Sequence, residues 1–302
     1  MHATRAAARR LALTRPLSSW PLACPRSVAV VGAPQQYGQP QSGVDAGPEL
    51  LRKAGLRHAL AQLDWRVEDL GDVDMTTGPR GAGGPAKHAT LVGAGSERLY
   101  ETCAKAHAAG RFVLTVGGDH SIALATVAAA LDERPGTRVL WVDAHADCNT
   151  PATSPSGNMH GMPLAFLLGL VAPGDLGADA AAFAWLLDGP PRLAPEHLAY
   201  VGLRDVDAAE RRTLAELRDR GAYVSSMHDV DARGVGAVVD DALCHLGYAR
   251  FDALGRGAPH PNGGAPLHCS LDVDAVDPLV APATGTAVRG GLTFREAHFL
   301  CE

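Results

Sequence analysis

Short, continuous apolar runs alternate along this chain with stretches of helical length, and that alternation constrains the fold more than any other feature. Runs fall at 27–32 (S-V-A-V-V-G), 111–116 (R-F-V-L-T-V), 139–142 (V-L-W-V), 197–201, 222–225 and 268–271. Between them the spacing predicts helices over 47–54, 97–109, 122–131, 208–220 and 235–246. Strands that are apolar on every residue are buried on both faces, as in parallel sheets. Alternating β and α elements of this kind predict a three-layer α/β/α fold with a central parallel sheet. No fixed period recurs, which disfavours a solenoid. Two Gly/Pro-rich segments, 78–84 and 255–265, read as surface loops because the strand series resumes after each.

Composition narrows the function classes. Hydrophobic residues make up 46% of the 302, enough for a folded core. A net charge of −6 argues against nucleic acid as the main partner. No apolar run approaches the ~20 residues of a membrane span; the best, 165–170, soon meets Asp175. Six scattered cysteines without a C-x-x-C pair predict reduced thiols in an intracellular protein. The first 44 residues contain no Asp or Glu but do contain Arg5, Arg9, Arg10, Arg15 and Arg26. That composition reads as a mitochondrial transit peptide over 1–26, removed before Ser27, with the folded domain over 27–302. A mitochondrial matrix location follows, with a cytoplasmic one as the alternative.

Ligands of such folds bind outside the carboxyl ends of the strands. Here one run is followed by G-G-D-H-S with His120, the next by D-A-H-A-D with Asp143, His145 and Asp147, and another by D-V-D with Asp272 and Asp274. Alternate residues of an extended chain share a side, so each set is expected to converge. Four carboxylates gathered together repel and need a counter-charge. Two divalent cations supply it, and oxygen plus imidazole donors without thiolate suit Mn²⁺. Two ions about 3.5–4 Å apart would hold a bridging hydroxide as nucleophile. The loop 148–161 adds neutral donors in Asn149 and Ser156, suited to a substrate carboxylate, and a titratable group in His160. Asp207 and Glu210 either face a cationic substrate or are acids favoured at a helix N-terminus; spacing leaves both open.

In their order and separation, G-G-D-H-S, D-A-H-A-D-x-N-T-P, S-G-N-x-H-G and S-L-D-V-D-x-x-D-P resemble the ureohydrolase superfamily. The loop N-T-P-x-T-x-x-S-G-N-x-H-G with G-L-R-D-V-D-x-x-E resembles the arginases, and the leader followed by R-S-V-A-V-V-G-A-P their type II, mitochondrial form. The resemblance implies hydrolysis of L-arginine to L-ornithine and urea by a hydroxide attacking the guanidinium carbon. It implies one manganese on His120, Asp143, Asp147 and Asp272, and another on His145, Asp143, Asp272 and Asp274. It further implies Asn149 and Ser156 on the substrate α-carboxylate, Asp207 on the α-amino group with Glu210 nearby, His160 as proton shuttle, Thr286 beside the guanidinium, and a homotrimer. Members of the family continue past the position of Glu302 with a further strand, ending in a guanidinium-binding glutamate, and a last helix. The fold over 27–302 is therefore expected to lack both. The alternatives are a catalytically weak subunit that acts by association, and an agmatinase.

Overall fold

The computed structural model describes residues 26–79, 81, 83–189, 192–248 and 264–301. All but Arg26 of the leader expected at 1–26, and all but the last two residues of the loop at 255–265, lie outside them. The described residues form seven strands: β1 (Ser27–Ala33), β2 (Arg66–Asp72), β3 (Phe112–Gly117), β4 (Arg138–Val142), β5 (Leu198–Leu203), β6 (Tyr223–Ser226) and β7 (Leu267–Leu271). The principal helices are α1 (Gly47–Lys53), α2 (Leu56–Gln62), α3 (Ala89–Ala108), α4 (Ala123–Glu133), α5 (Ala208–Asp219), α6 (Met227–Arg233), α7 (Val235–His245) and α8 (Phe294–Cys301).

Every strand pairing is parallel, as the apolar runs require. The strands form two ladders, β2-β1-β3 and β6-β5-β4-β7, with β3 and β7 each pairing on one side among the described residues. The two-residue period sorts the side chains of the second ladder. Val139 and Trp141 of β4, with Leu198 and Tyr200 of β5, pack beneath α4 and α5. Leu140, Val142, Ala199 and Val201 point the other way, onto α6 and α7. This is the helix-covered sheet expected from sequence, and its strands all end on one edge.

At the opposite, amino-terminal end lie two histidines that folding keeps neutral. Burial, with Arg134 nearby, pushes His107 of α3 down to about 4. His268 of β7, facing burial and the charges of His107 and His120, falls to about 4 as well. A depressed folded pKa means this stability is present above about pH 6.5 and is lost as the pH falls toward 4. Partial exposure holds the effect to about 1–2 kcal/mol for each. In the metal-free protein, His107→Gln should raise the denaturation midpoint at pH 4.5 relative to that at pH 7, compared with wild type. An unchanged acid slope in the variant would refute the assignment.

Candidate metal centre

Three strand ends build the site. After β3, the backbone of Gly118 runs against Gln35; a Cβ there would lie 1.9 Å from the Gln35 carbonyl oxygen, so only glycine fits. Asp119 then caps the turn His120–Ile122, its carboxylate accepting from Ser121 N–H at 3.0 Å and from Gly38 N–H at 2.9 Å. That turn aims His120 across the site, where its Nε2 meets Ser270 Oγ of β7 at 2.8 Å.

The other ring nitrogen carries the main observation. His120 Nδ1 lies 3.0 Å from Asp143 Oδ2, 3.0 Å from Asp147 Oδ2 and 3.3 Å from Asp272 Oδ2. Yet it is buried and makes no hydrogen bond. Donors this close that do not point at one another converge on a common point. His145 Nδ1 heads a second group, 3.1 Å from Asp274 Oδ2 and 3.5 Å from Asp143 Oδ1. Among the described residues, His120, Asp143 and Asp147 form one metal-capable set, and Asp143, His145 and Asp274 another, sharing Asp143.

The residues expected to converge do so, but not by strand alternation. β4 stops at Val142, and Asp147 has φ 49°, in the left-handed region that Asp and Asn tolerate best among side-chain-bearing residues. Asp272 caps the short turn Val273–Ala275 and accepts from Asp274 N–H at 2.9 Å, so this pair also leaves the extended path. Turns give each carboxylate its own direction, which a flat strand would not.

The electrostatics of the cluster favour added positive charge. Burial and the Asp143 charge raise Asp147 well above the carboxylate range. Asp272 is pushed up to about 7 for the same two reasons. Burial alone would lower both imidazoles, but Asp143 and Asp147 raise His120 well above its ordinary value. Asp143 and Asp274 likewise raise His145 to about 11. Without a cation the site gathers protons, which is the behaviour of a cage built for positive charge. An unpartnered imidazole nitrogen amid three carboxylate oxygens fits divalent metal, and no thiolate competes.

Above the donors opens a cavity of about 180 Å³, lined by Asn149, Ser156, His160, Asp207, Glu210 and Thr286 together with several of the carboxylates. His120 and Asp143 are buried and do not line it. Thr286 Oγ1 donates to Asp274 Oδ2 at 2.7 Å. Asn149 Nδ2 donates to Asp207 Oδ2 at 2.7 Å. Ser156 is exposed, its hydroxyl accepting from Asn158 N–H. Burial holds the His160 imidazole below its ordinary pKa.

Asp207 and Glu210 both sit at the N-terminus of α5. Asp207 is the N-cap of α5, its Oδ1 accepting from Ala209 and Glu210 N–H, while its Oδ2 reaches the cavity side and Asn149. Glu210 closes the capping box on Asp207 N–H at 3.2 Å and also takes Cys148 N–H at 3.4 Å. Both of its oxygens thus serve the framework, and burial lifts it to about 7.

Three further residues were not singled out from sequence. Asp205 lines the cavity, with Oδ2 3.7 Å from His145 Nε2; its i, i+2 spacing to Asp207 was the available signal. Ser270 orients His120 and is a polar residue inside an apolar strand. Arg204 donates to the carbonyls of Asp274, Ala275 (3.2 Å) and Val288 (2.8 Å), tying the Thr286 loop to the end of β5.

Parallel strands under helices, with two carboxylate–imidazole donor sets at their carboxyl ends, define an α/β protein whose strand ends could hold two metal ions. Residues 26–302 match the sequence profile of the Arginase family, and the chain belongs to that family. The arginase of Saccharomyces cerevisiae is 42% identical over 293 residues, spanning 92% of this chain and 82% of its own. Human Arginase-1 is 39% identical over 278 residues, spanning 92% and 80%. Among solved structures, the arginase of Bacillus caldovelox superposes with a TM-score of 0.76 at 35% identity, covering 91% of this chain and 85% of that one.

Proposed function

We propose that this chain hydrolyses L-arginine to L-ornithine and urea at a two-manganese centre. The observation that carries the reading is the pair of donor sets sharing Asp143 beside a polar cavity. His120, Asp143, Asp147 and Asp272 would hold one ion, and His145, Asp143, Asp272 and Asp274 the other. When bound, such a pair supplies Lewis acidity and a water that ionises near neutral pH. The side chains do the rest. Asn149 and Ser156 present neutral donors to the α-carboxylate, so no cation competes with the metals there. Asp207 Oδ2 receives the α-ammonium, and the cap fixes the direction of that oxygen. Thr286 borders the guanidinium, its hydroxyl held by Asp274. His160, kept neutral by burial, is available to carry a proton between solvent and the leaving amine.

His160→Gln should lower kcat by about 100-fold or more, as loss of a general acid–base does, with KM changed little. A raised KM at constant kcat would instead make His160 a binding residue. The substrate itself is tested by urea release from L-arginine and from agmatine in added Mn²⁺. Preference for arginine supports the reading, and preference for agmatine replaces it, because only arginine has the α-carboxylate that Asn149 and Ser156 address. Import into mitochondria is supported by the Arg-rich, acid-free composition of 1–26. A mature N-terminus near Ser27 would bear it out, and an intact Met1 in the cytosol would oppose it.

A further inference from the structure

We propose that Trp141 is a positioning residue for the metal centre, one indole that sets the orientation of two donors at once. Trp141 is fully buried near the end of β4, two residues before Asp143. Its Nε1–H donates to Asp143 Oδ2 at 3.0 Å. Its ring stacks on the His120 imidazole, with centroids 4.4 Å apart and planes 29° from parallel. A buried indole N–H usually finds a hydrogen-bond partner. Here the partner is the oxygen that faces His120 Nδ1, also at 3.0 Å.

The consequences follow from what else holds these groups. The remaining oxygen of Asp143, Oδ1, accepts from His145 N–H at 2.8 Å. Indole on one oxygen and amide on the other fix the carboxylate plane, and with it the direction of the donor shared by both sets. His120 is fixed in the same way, by Ser270 on Nε2 and by the Trp141 face across the ring. Removing the indole N–H frees the Asp143 carboxylate to rotate, and each rotation turns a donor away from the convergent point. Outer contacts that orient ligands typically govern affinity by 10–100-fold.

The inference rests on the two-metal reading, and the test separates the two. Mn²⁺ alone is titrated into the full chain, recording the number of ions and each dissociation constant, alongside the melting temperature of the metal-free protein. Wild type should bind two ions. Trp141→Phe keeps a ring against His120 but lacks the N–H, and should weaken Mn²⁺ binding by about tenfold or more. Should that variant not fold, 3-benzothienylalanine at position 141 keeps both rings and loses only the N–H; it should show the same weakening with the metal-free melting temperature near wild type. Wild-type affinity in the benzothienyl protein would overturn the proposal and leave Trp141 a core residue. Failure of wild type itself to bind Mn²⁺ would overturn the metal centre and this inference with it.

Discussion

Replacing Asp147 with Asn should cost at least 100-fold in turnover and release Mn²⁺, while raising the melting temperature of the metal-free protein. The opposite signs share one cause. Asp147 is buried and raised well above the carboxylate range, first by burial and then by Asp143. A carboxyl whose folded pKa is raised contributes stability at low pH that is lost as the pH climbs through that value. At pH 7 a neutral amide removes the loss. With metal bound, the same charge is a ligand, and its removal leaves the ion short of a donor beside His120. Asn is the informative choice because φ at Asp147 is 49°, which Asn tolerates and Ala does not. The measurements are urea release, metal content after dialysis and the melting temperature in chelator. Wild-type metal content together with a lowered metal-free melting temperature would show that Asp147 is only a structural acid.

The second large effect is expected at Asp207. Asp207→Asn should reduce kcat/KM for L-arginine by about 10–100-fold, mainly through KM, with thermal stability nearly unchanged. Asn caps helices about as well as Asp, so the bonds to Ala209 and Glu210 N–H survive. The negative charge facing the α-ammonium does not, and hydrogen bonds to charged groups are worth roughly 1.5–3 kcal/mol. Asp207→Ala would additionally lose the cap, at about 1 kcal/mol of stability. Equal kcat/KM in wild type and Asp207→Asn would confine Asp207 to capping.

Much of this was legible in the sequence wherever burial leaves a pattern. β1, β4 and β5 are apolar on nearly every residue and buried, and the ends of β1 and β3–β7 were placed within a residue or two. β2 was missed because R-V-E-D-L-G-D is an edge strand, largely exposed, whose charges face water and Arg52. The helix expected at 97–109 begins eight residues earlier, at Ala89. Glycine disfavours helix, yet α3 needs one here: a Cβ on Gly93 would stand 2.6 Å from the Ala182 carbonyl oxygen. Tertiary packing, invisible to local propensity, decides that boundary.

The site divides the same way. His120, Asp143, His145, Asp147, Asp272 and Asp274 were identifiable because acids and imidazoles at three strand ends have no cheap structural excuse. The reason given for their convergence was incomplete, since turns and a left-handed Asp147 direct them. Ser270, Asp205 and Arg204 were not singled out because their roles depend on partners far along the chain, as in the contact of His120 with Ser270 across 150 residues. Spacing left Asp207 and Glu210 open between helix cap and substrate contact; the structure shows the cap, a capping box at the N-terminus of α5, with Asp207 Oδ2 left toward Asn149.

The central claim is that two ions sit at the carboxyl ends of these strands. Anomalous diffraction from crystals grown with Mn²⁺ tests it most directly. Two anomalous peaks are expected, one within ligand distance of His120 Nδ1 and one of His145 Nδ1, with Asp143 reaching both. A single peak, or peaks away from these two imidazoles, would contradict it.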